Sequence, residues 1–144
     1  MNKLFTVVMS ALLSTALVNG VSATEKAASG KAEFMNSCSL CHNSDGKGGG
    51  QMNDLLKKAP PDLTMLSKKN GGKFPTDRVA AMIDGRELVK SHGDRDMPAW
   101  GNRYSMDKMK AAEYYGDMPY KDTEMYVKNR IMALIDYLVS IQAK

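Results

Sequence analysis

Cys38-Ser39-Leu40-Cys41-His42 gathers both cysteines of this 144-residue chain and one of its two histidines into five consecutive residues. A single helical turn would bring the two sulfurs to the same side. There each thiol can add to one vinyl group of a porphyrin edge, giving two thioethers. The histidine that follows places an imidazole nitrogen where it can reach the iron from the proximal side. Cys-x-x-Cys-His therefore reads as a c-type haem attachment site. Three plainer chemistries use the same residue types. A structural zinc ion wants four ligands, and the chain has no second cysteine pair to supply them. A disulfide or a thioredoxin-like redox pair would leave His42 incidental. The redox pair would also expect a βαβ pattern around the motif, which this sequence lacks.

A sixth iron ligand would set the chemistry, and His92 and several methionines compete for that place. A thioether is soft and favours Fe(II), so a His/Met pair raises the reduction potential relative to two nitrogens. It also closes the iron, which suits electron transfer and disfavours binding of oxygen or peroxide. Met97-Pro98 and Met118-Pro119 are the two Met-Pro pairs. A proline after a ligand fixes the backbone and lowers the entropy lost in holding sulfur on iron. Met35, Met65, Met82, Met106, Met109, Met125 and Met132 lack such a context and read as adaptable core filler.

The elements that must position these groups are helical, with Gly-rich connections. Residues 24–29 read as a loose leader, and Gly30 to Cys41 as a first helix with Phe34 and Cys38 on one face. Asn43 to Gly50 is a loop that neither helix nor strand would tolerate. Leu55-Leu56 and Leu63 to Lys69 suggest short turns, split by Pro60-Pro61 and ended by Asn70-Gly71-Gly72. Thr76 would cap a helix over Asp77 to Ile83, with Val79, Met82 and Ile83 inward and Gly85 as its stop. A further helix is expected over Met106 to Tyr115. The last, capped by Asp122 or Thr123, carries one apolar stripe of Val127, Ile131, Leu134, Ile135, Leu138 and Ile141. No period-2 run stands out, so the fold class is all-α.

The first 23 residues have the form of a secretory signal peptide: Lys3, an uncharged apolar run from Leu4 to Val18, then Val21-Ser22-Ala23 as small residues for cleavage. The apolar run is shorter than the ~20 residues a membrane span needs. The remaining residues, 24–144, are enough for one domain with one core. Removing Lys3 and adding two haem propionates, roughly −2 near neutral pH, brings the formal +4 close to neutral. No basic stripe interleaved with aromatics points to nucleic acid.

Taken together, the residues resemble class I cytochromes c, narrowly the small bacterial monohaem ones. Gly30, Phe34, Cys38, Cys41 and His42 match the G-x3-F-x3-C-x-x-C-H opening of that family. Leu134-Ile135-Asp136-Tyr137-Leu138 is similar to its L-I-x-Y-L pattern, and APPDLT, NGGKFPTDRV, IDGR and HGDRDMPAWG add shorter likenesses. The resemblance implies that the first and last helices cross over one covalent haem, with Gly30 against Tyr137 and Phe34 nearby. It implies Met97, in Met97-Pro98-Ala99-Trp100-Gly101, as the sixth ligand, with Met118 as the rival and His92 as a loop residue. Pro61 would accept the second N–H of His42 through its carbonyl, and Leu63 would pack on the haem face. Trp100 would lie over the haem with its N–H towards a propionate, or simply be buried. Arg78 and Arg86 are candidate propionate partners or solvated charges. Arg103 to Asp122 departs from the family pattern as an insertion.

The expected function is a soluble, monomeric, periplasmic electron carrier with a His42/Met97-ligated haem c. It would receive electrons from a dehydrogenase or cytochrome complex and pass them to an oxidase or reductase, without catalysis of its own. Two alternatives are a cytochrome subunit of a periplasmic oxidoreductase complex, docked through the insertion, and a haem-based ligand sensor.

Overall fold

A computed structural model describes residues 23–86, 97–115 and 121–144. Among these residues there are helices α1 (Ala23–Ser37), α2 (Ser39–His42), α3 (Thr76–Asp84), α4 (Trp100–Tyr115) and α5 (Lys121–Ser140), and no strand. The chain is all-α, as the sequence led us to expect. Short 3-10 turns at Asn53–Leu55, Leu63–Met65 and Lys68–Asn70 fill the stretch between α2 and α3. The proposed signal peptide falls outside the described residues except for Ala23, and His92 and Met118 also lie outside them. No helix of the described residues is long and apolar enough to cross a membrane.

Several helix boundaries differ from expectation. Residues 24–29 are helical rather than loose, because Glu25, Lys26, Ala27 and Ala28 are strong helix formers without any breaker. The helix expected to run through Cys41 is divided at Cys38, which has φ −118° and ψ −31°. There the Cys38 carbonyl accepts from both Cys41 N (3.1 Å) and His42 N (2.9 Å), so the chain tightens into a separate turn. Thr76 begins α3 instead of capping it, with Pro75 in the cap position. Gly85 stops α3 as expected, at φ 67° with its N–H on the Ala81 carbonyl. Helix α4 starts at Trp100, ahead of the expected Met106. Trp100, Tyr104 and Lys108 are the buried side chains described in it, and a stripe of two aromatics and a lysine has no aliphatic period to read. The segment taken as an insertion is thus α4 up to Tyr115 and α5 from Lys121.

Helix α5 is the centre of the packing. Val127, Ile131, Leu134, Ile135, Tyr137 and Leu138 are buried with Phe34 of α1, Ile83 of α3, and Trp100 and Tyr104 of α4. Helix α1 crosses α5 at Gly30, where a Cβ would collide with the Ala133 carbonyl. The crossing point is therefore Ala133–Leu134, one turn ahead of the expected Tyr137. Tyr137 packs on Phe34 instead, with ring centroids 5.2 Å apart at 50°. A polar contact reinforces the crossing: Glu33 accepts from Arg130 Nη2 (2.6 Å), Ser37 Oγ (2.7 Å) and Tyr104 OH (3.0 Å).

Of the seven methionines expected to fill this core, only Met65 is even half-buried. Met35, Met82, Met106, Met109, Met125 and Met132 are 37–63 % exposed. Met106 and Met125 each lie two residues from a buried side chain, Tyr104 and Val127, and so point to the opposite helix face. Met82 and Met132 sit beside Ile83 and Ile131, which occupy the inward positions.

Candidate functional site

The Cys38–His42 turn is supported by the loop that follows it. Gly48 N donates to His42 O (3.0 Å), Gly50 N to Cys41 O (3.1 Å) and Met52 N to Leu40 O (2.9 Å). The Gly-rich loop thereby satisfies the carbonyls that a helix end leaves open. Cys38 and Cys41 are free, half-buried thiols. Burial, then Glu33 and Cys41, push the Cys38 thiol up to about 12. A redox Cys-x-x-Cys pair works by lowering a thiol pKa, so this environment argues against that plainer chemistry.

Burial, the larger effect, lowers the His42 pKa, while the Pro61 carbonyl acts to raise it. The ring is therefore neutral near pH 7, the form that ligates a metal. His42 Nδ1 is buried and has no partner within hydrogen-bond geometry. The Pro61 carbonyl lies close enough to the ring to act on it as a hydrogen-bond acceptor, while Nδ1 has no partner of full hydrogen-bond geometry. Leu63 N donates to Gly46 O at 2.8 Å, which fixes the Pro61–Leu63 segment beside the attachment turn. Asp62 caps the next 3-10 turn by accepting from Thr64 N (2.8 Å) and Oγ1 (2.6 Å).

The end of α5 holds this segment through residues the sequence did not single out. Gln142 Nε2 donates to the carbonyls of Leu63 and Leu138, each at 2.8 Å, and its Oε1 accepts from Ser67 N at 2.8 Å. Ala143 N reaches Thr64 O at 2.8 Å. A glutamine just beyond an apolar stripe carries no signal of such a role.

Met97 is half-buried and packs on the same apolar cluster as Cys38, Leu63, Phe74 and Val79. Trp100 is buried in that cluster, with Tyr104 at 6.2 Å between ring centroids and Arg103 over its face at 5.1 Å. Arg86 is engaged by Asp84 and Glu124, both at 2.6 Å. Arg78 lines a cleft of about 280 Å³ with Pro61, Leu66, Lys69, Pro75 and Val79. Of the residues singled out for the site, this cleft includes Pro61 and Arg78. Cys38, Leu63, Met97 and Trp100 thus meet one apolar cluster, with Cys41 and His42 on the adjoining turn and Pro61 beside His42.

The donor set suits a porphyrin better than a bare ion. No group of three His, Cys, Asp or Glu gathers among the described residues. A porphyrin supplies four nitrogens itself and asks of the chain a neutral imidazole, a soft axial donor, thiols for its vinyl groups and an apolar wall. His42, Met97, Cys38, Cys41 and the side chains around Leu63 match those needs.

The family model described as Cytochrome c matches residues 27–142. Comparison with curated proteins and with solved structures finds no match. That family implies haem c and is generally one of electron carriers rather than enzymes. With the match running from α1 past the end of α5, the chain belongs to the cytochrome c family.

Proposed function

We propose that the chain is exported to the periplasm and works there as a one-electron carrier, with one haem c joined by thioethers to Cys38 and Cys41 and ligated by His42 and Met97. The observation that carries this reading is the Cys38–His42 turn, where both thiols are free and the imidazole is kept neutral. Bound haem supplies a one-electron couple. The chain's own part is to orient and shield. His42 is held by its turn, with the Pro61 carbonyl near its ring. Met97 presents sulfur from a half-buried position against the core, which fits a ligand retained in both oxidation states. Leu40, inside the attachment motif, is 51 % exposed, so a redox protein can approach that side. Contacts there would be small and transient, as redox encounters are.

Mass spectrometry of the denatured holoprotein tests the attachment: the peptide containing Cys38 and Cys41 should be heavier by one haem. Oxidised-state spectra of Met97→Ala beside Met118→Ala test the ligand. The weak sulfur-to-iron charge-transfer band should vanish in Met97→Ala and persist in Met118→Ala, and the reverse result would reassign the ligand.

A second reading, the cytochrome subunit of a periplasmic oxidoreductase complex, draws on α4, which exposes Met106 (54 %) and Met109 (55 %). Co-purification of a stable partner that is lost on changing both to Lys would favour it. A free monomer on sizing would favour the shuttle.

A further inference from the structure

We infer that Arg86 is a positioning residue for the Met97 ligand, acting through a clamp that joins the end of α3 to the starts of α4 and α5. This rests on the reading of Met97 as the sixth ligand and says what holds it there. Arg86 Nε and Nη2 donate to Asp84 Oδ1 (2.6 Å) and Oδ2 (2.9 Å). Its Nη1 and Nη2 donate to Glu124 Oε1 (2.6 Å) and Oε2 (2.9 Å). The guanidinium is thus gripped by two carboxylates, each in a two-bond fork, the geometry its planar donor set matches best. Both faces of its fork are committed to carboxylates of the chain.

The start of α4 rests on this clamp. A Cβ at Gly101 would collide with Asp84 Oδ1 and would stand 2.6 Å from Arg86 Nε. Gly101 is therefore where the helix backbone comes directly against the Asp84–Arg86 pair. Trp100, the preceding residue, is buried and anchors the same turn in the core. Met97 is separated from Trp100 by only Pro98 and Ala99, so the position at which α4 begins sets where its sulfur can lie. Proline at 98 stiffens that short link, which passes a displacement of Gly101 on to Met97.

The arrangement separates positioning from stability. Glu124 is 71 % exposed, and ion pairs near solvent contribute little to global folding. What the clamp supplies is geometry, and a lysine, with one point charge on a flexible stem, cannot reproduce the double fork. Gly101→Ala offers an independent route to the same effect. In a helix, alanine is the better helix former, so loss of the ligand from this change would arise from the contact with Asp84 and Arg86.

The test uses the holoprotein, with Met97→Ala as reference and Arg86→Lys, Glu124→Gln and Gly101→Ala as variants. Readouts are the sulfur-to-iron band against pH, carbon monoxide binding to the reduced form, and helical melting. The inference expects the variants to stay folded at neutral pH. As pH is raised from neutral, they should lose the band about one pH unit lower than the unmodified protein, a roughly tenfold shift in ligand loss. Arg86→Lys should also bind carbon monoxide at neutral pH where the unmodified protein does not. If Met97→Ala abolishes the band but the clamp variants titrate like the unmodified protein, the inference is overturned while the ligand assignment stands. A band that survives in Met97→Ala overturns the ligand assignment and the inference with it. If Arg86→Lys fails to fold, Glu124→Gln, which keeps the Asp84 fork, decides by the same pH readout.

Discussion

Two regions bring the candidate haem residues together, and they are built differently. At the crossing of α1 and α5, Phe34, Val127 and Leu134 are each 1 % exposed, and Gly30 lets the backbones touch. Between Asn43 and Pro75 no apolar side chain is fully buried, and Leu55 is 75 % exposed. That segment is held instead by backbone bonds to α2, by the Asp62 cap and by Gln142. The crossing fixes Cys38 through side-chain packing. The connecting segment places Pro61 and Leu63 through hydrogen bonds, whose net contributions are smaller and more local. Changes in the first region should therefore lower global stability, and changes in the second should loosen the site while the fold persists.

The largest effect is expected from Phe34→Ala. The residue is buried against Tyr137, four positions before Cys38, and truncating a buried Phe costs about 3–5 kcal/mol. Thermal melting should fall by roughly 10–20 °C. A drop of only a few degrees would mean that the crossing is not the main store of stability.

Glu33→Gln sharpens the comparison through pH. Burial is the largest single influence on Glu33 and acts upward. The bonds from Arg130, Ser37 and Tyr104 together outweigh it and hold the carboxyl below its ordinary 4.5. A group whose folded pKa is depressed gives stability that is present above its unfolded pKa and is lost as pH falls through the folded one. The unmodified protein should thus lose stability as pH drops below about 4.5, and Glu33→Gln should lack that part of the decline. At neutral pH the variant takes from Arg130 the nearer of its two carboxylates, leaving Asp107 at 3.6 Å, at a cost of roughly 1–3 kcal/mol. Identical acid profiles for the two proteins would show that the network does not couple to folding.

The two regions were also unequally legible in the sequence. The attachment motif, the apolar stripe of α5 and the Gly85 stop could be read because each depends on local spacing or on one residue's backbone freedom. The early start of α4 could not, since Trp100, Tyr104 and Lys108 form a stripe that becomes apolar only when α5 covers it. The methionines misled because their chemistry suits a core while their register places them outside it. Glu33 with Arg130, and Gln142 with Leu63, pair residues far apart in the chain, and nothing local announces either contact. Pro61 and Leu63 were reached through family resemblance, and the geometry puts Pro61 near His42 without the completed Nδ1 bond.

The smallest expected effect falls on the seam between the regions. Gln142 joins the end of α5 to Leu63 and Ser67 by one donated and one accepted bond. The variant Gln142→Ala removes both, and because the glutamine is only half-buried, water can replace much of what is lost. Global stability should fall by about 1 kcal/mol or less, a change of a few degrees in melting. The Ser67 amide should meanwhile exchange markedly faster, because its acceptor is gone, whereas amides of α1 and α5 stay protected. The consequence should reach His42, since Leu63 belongs to the segment whose Pro61 carbonyl acts on its ring. With that carbonyl less firmly held, its upward influence weakens and the imidazole becomes less basic, so the iron's histidine signals in paramagnetic NMR should shift or broaden. Unchanged exchange at Ser67 would show that backbone bonds alone hold the segment. A large loss of global stability would erase the distinction between the two regions.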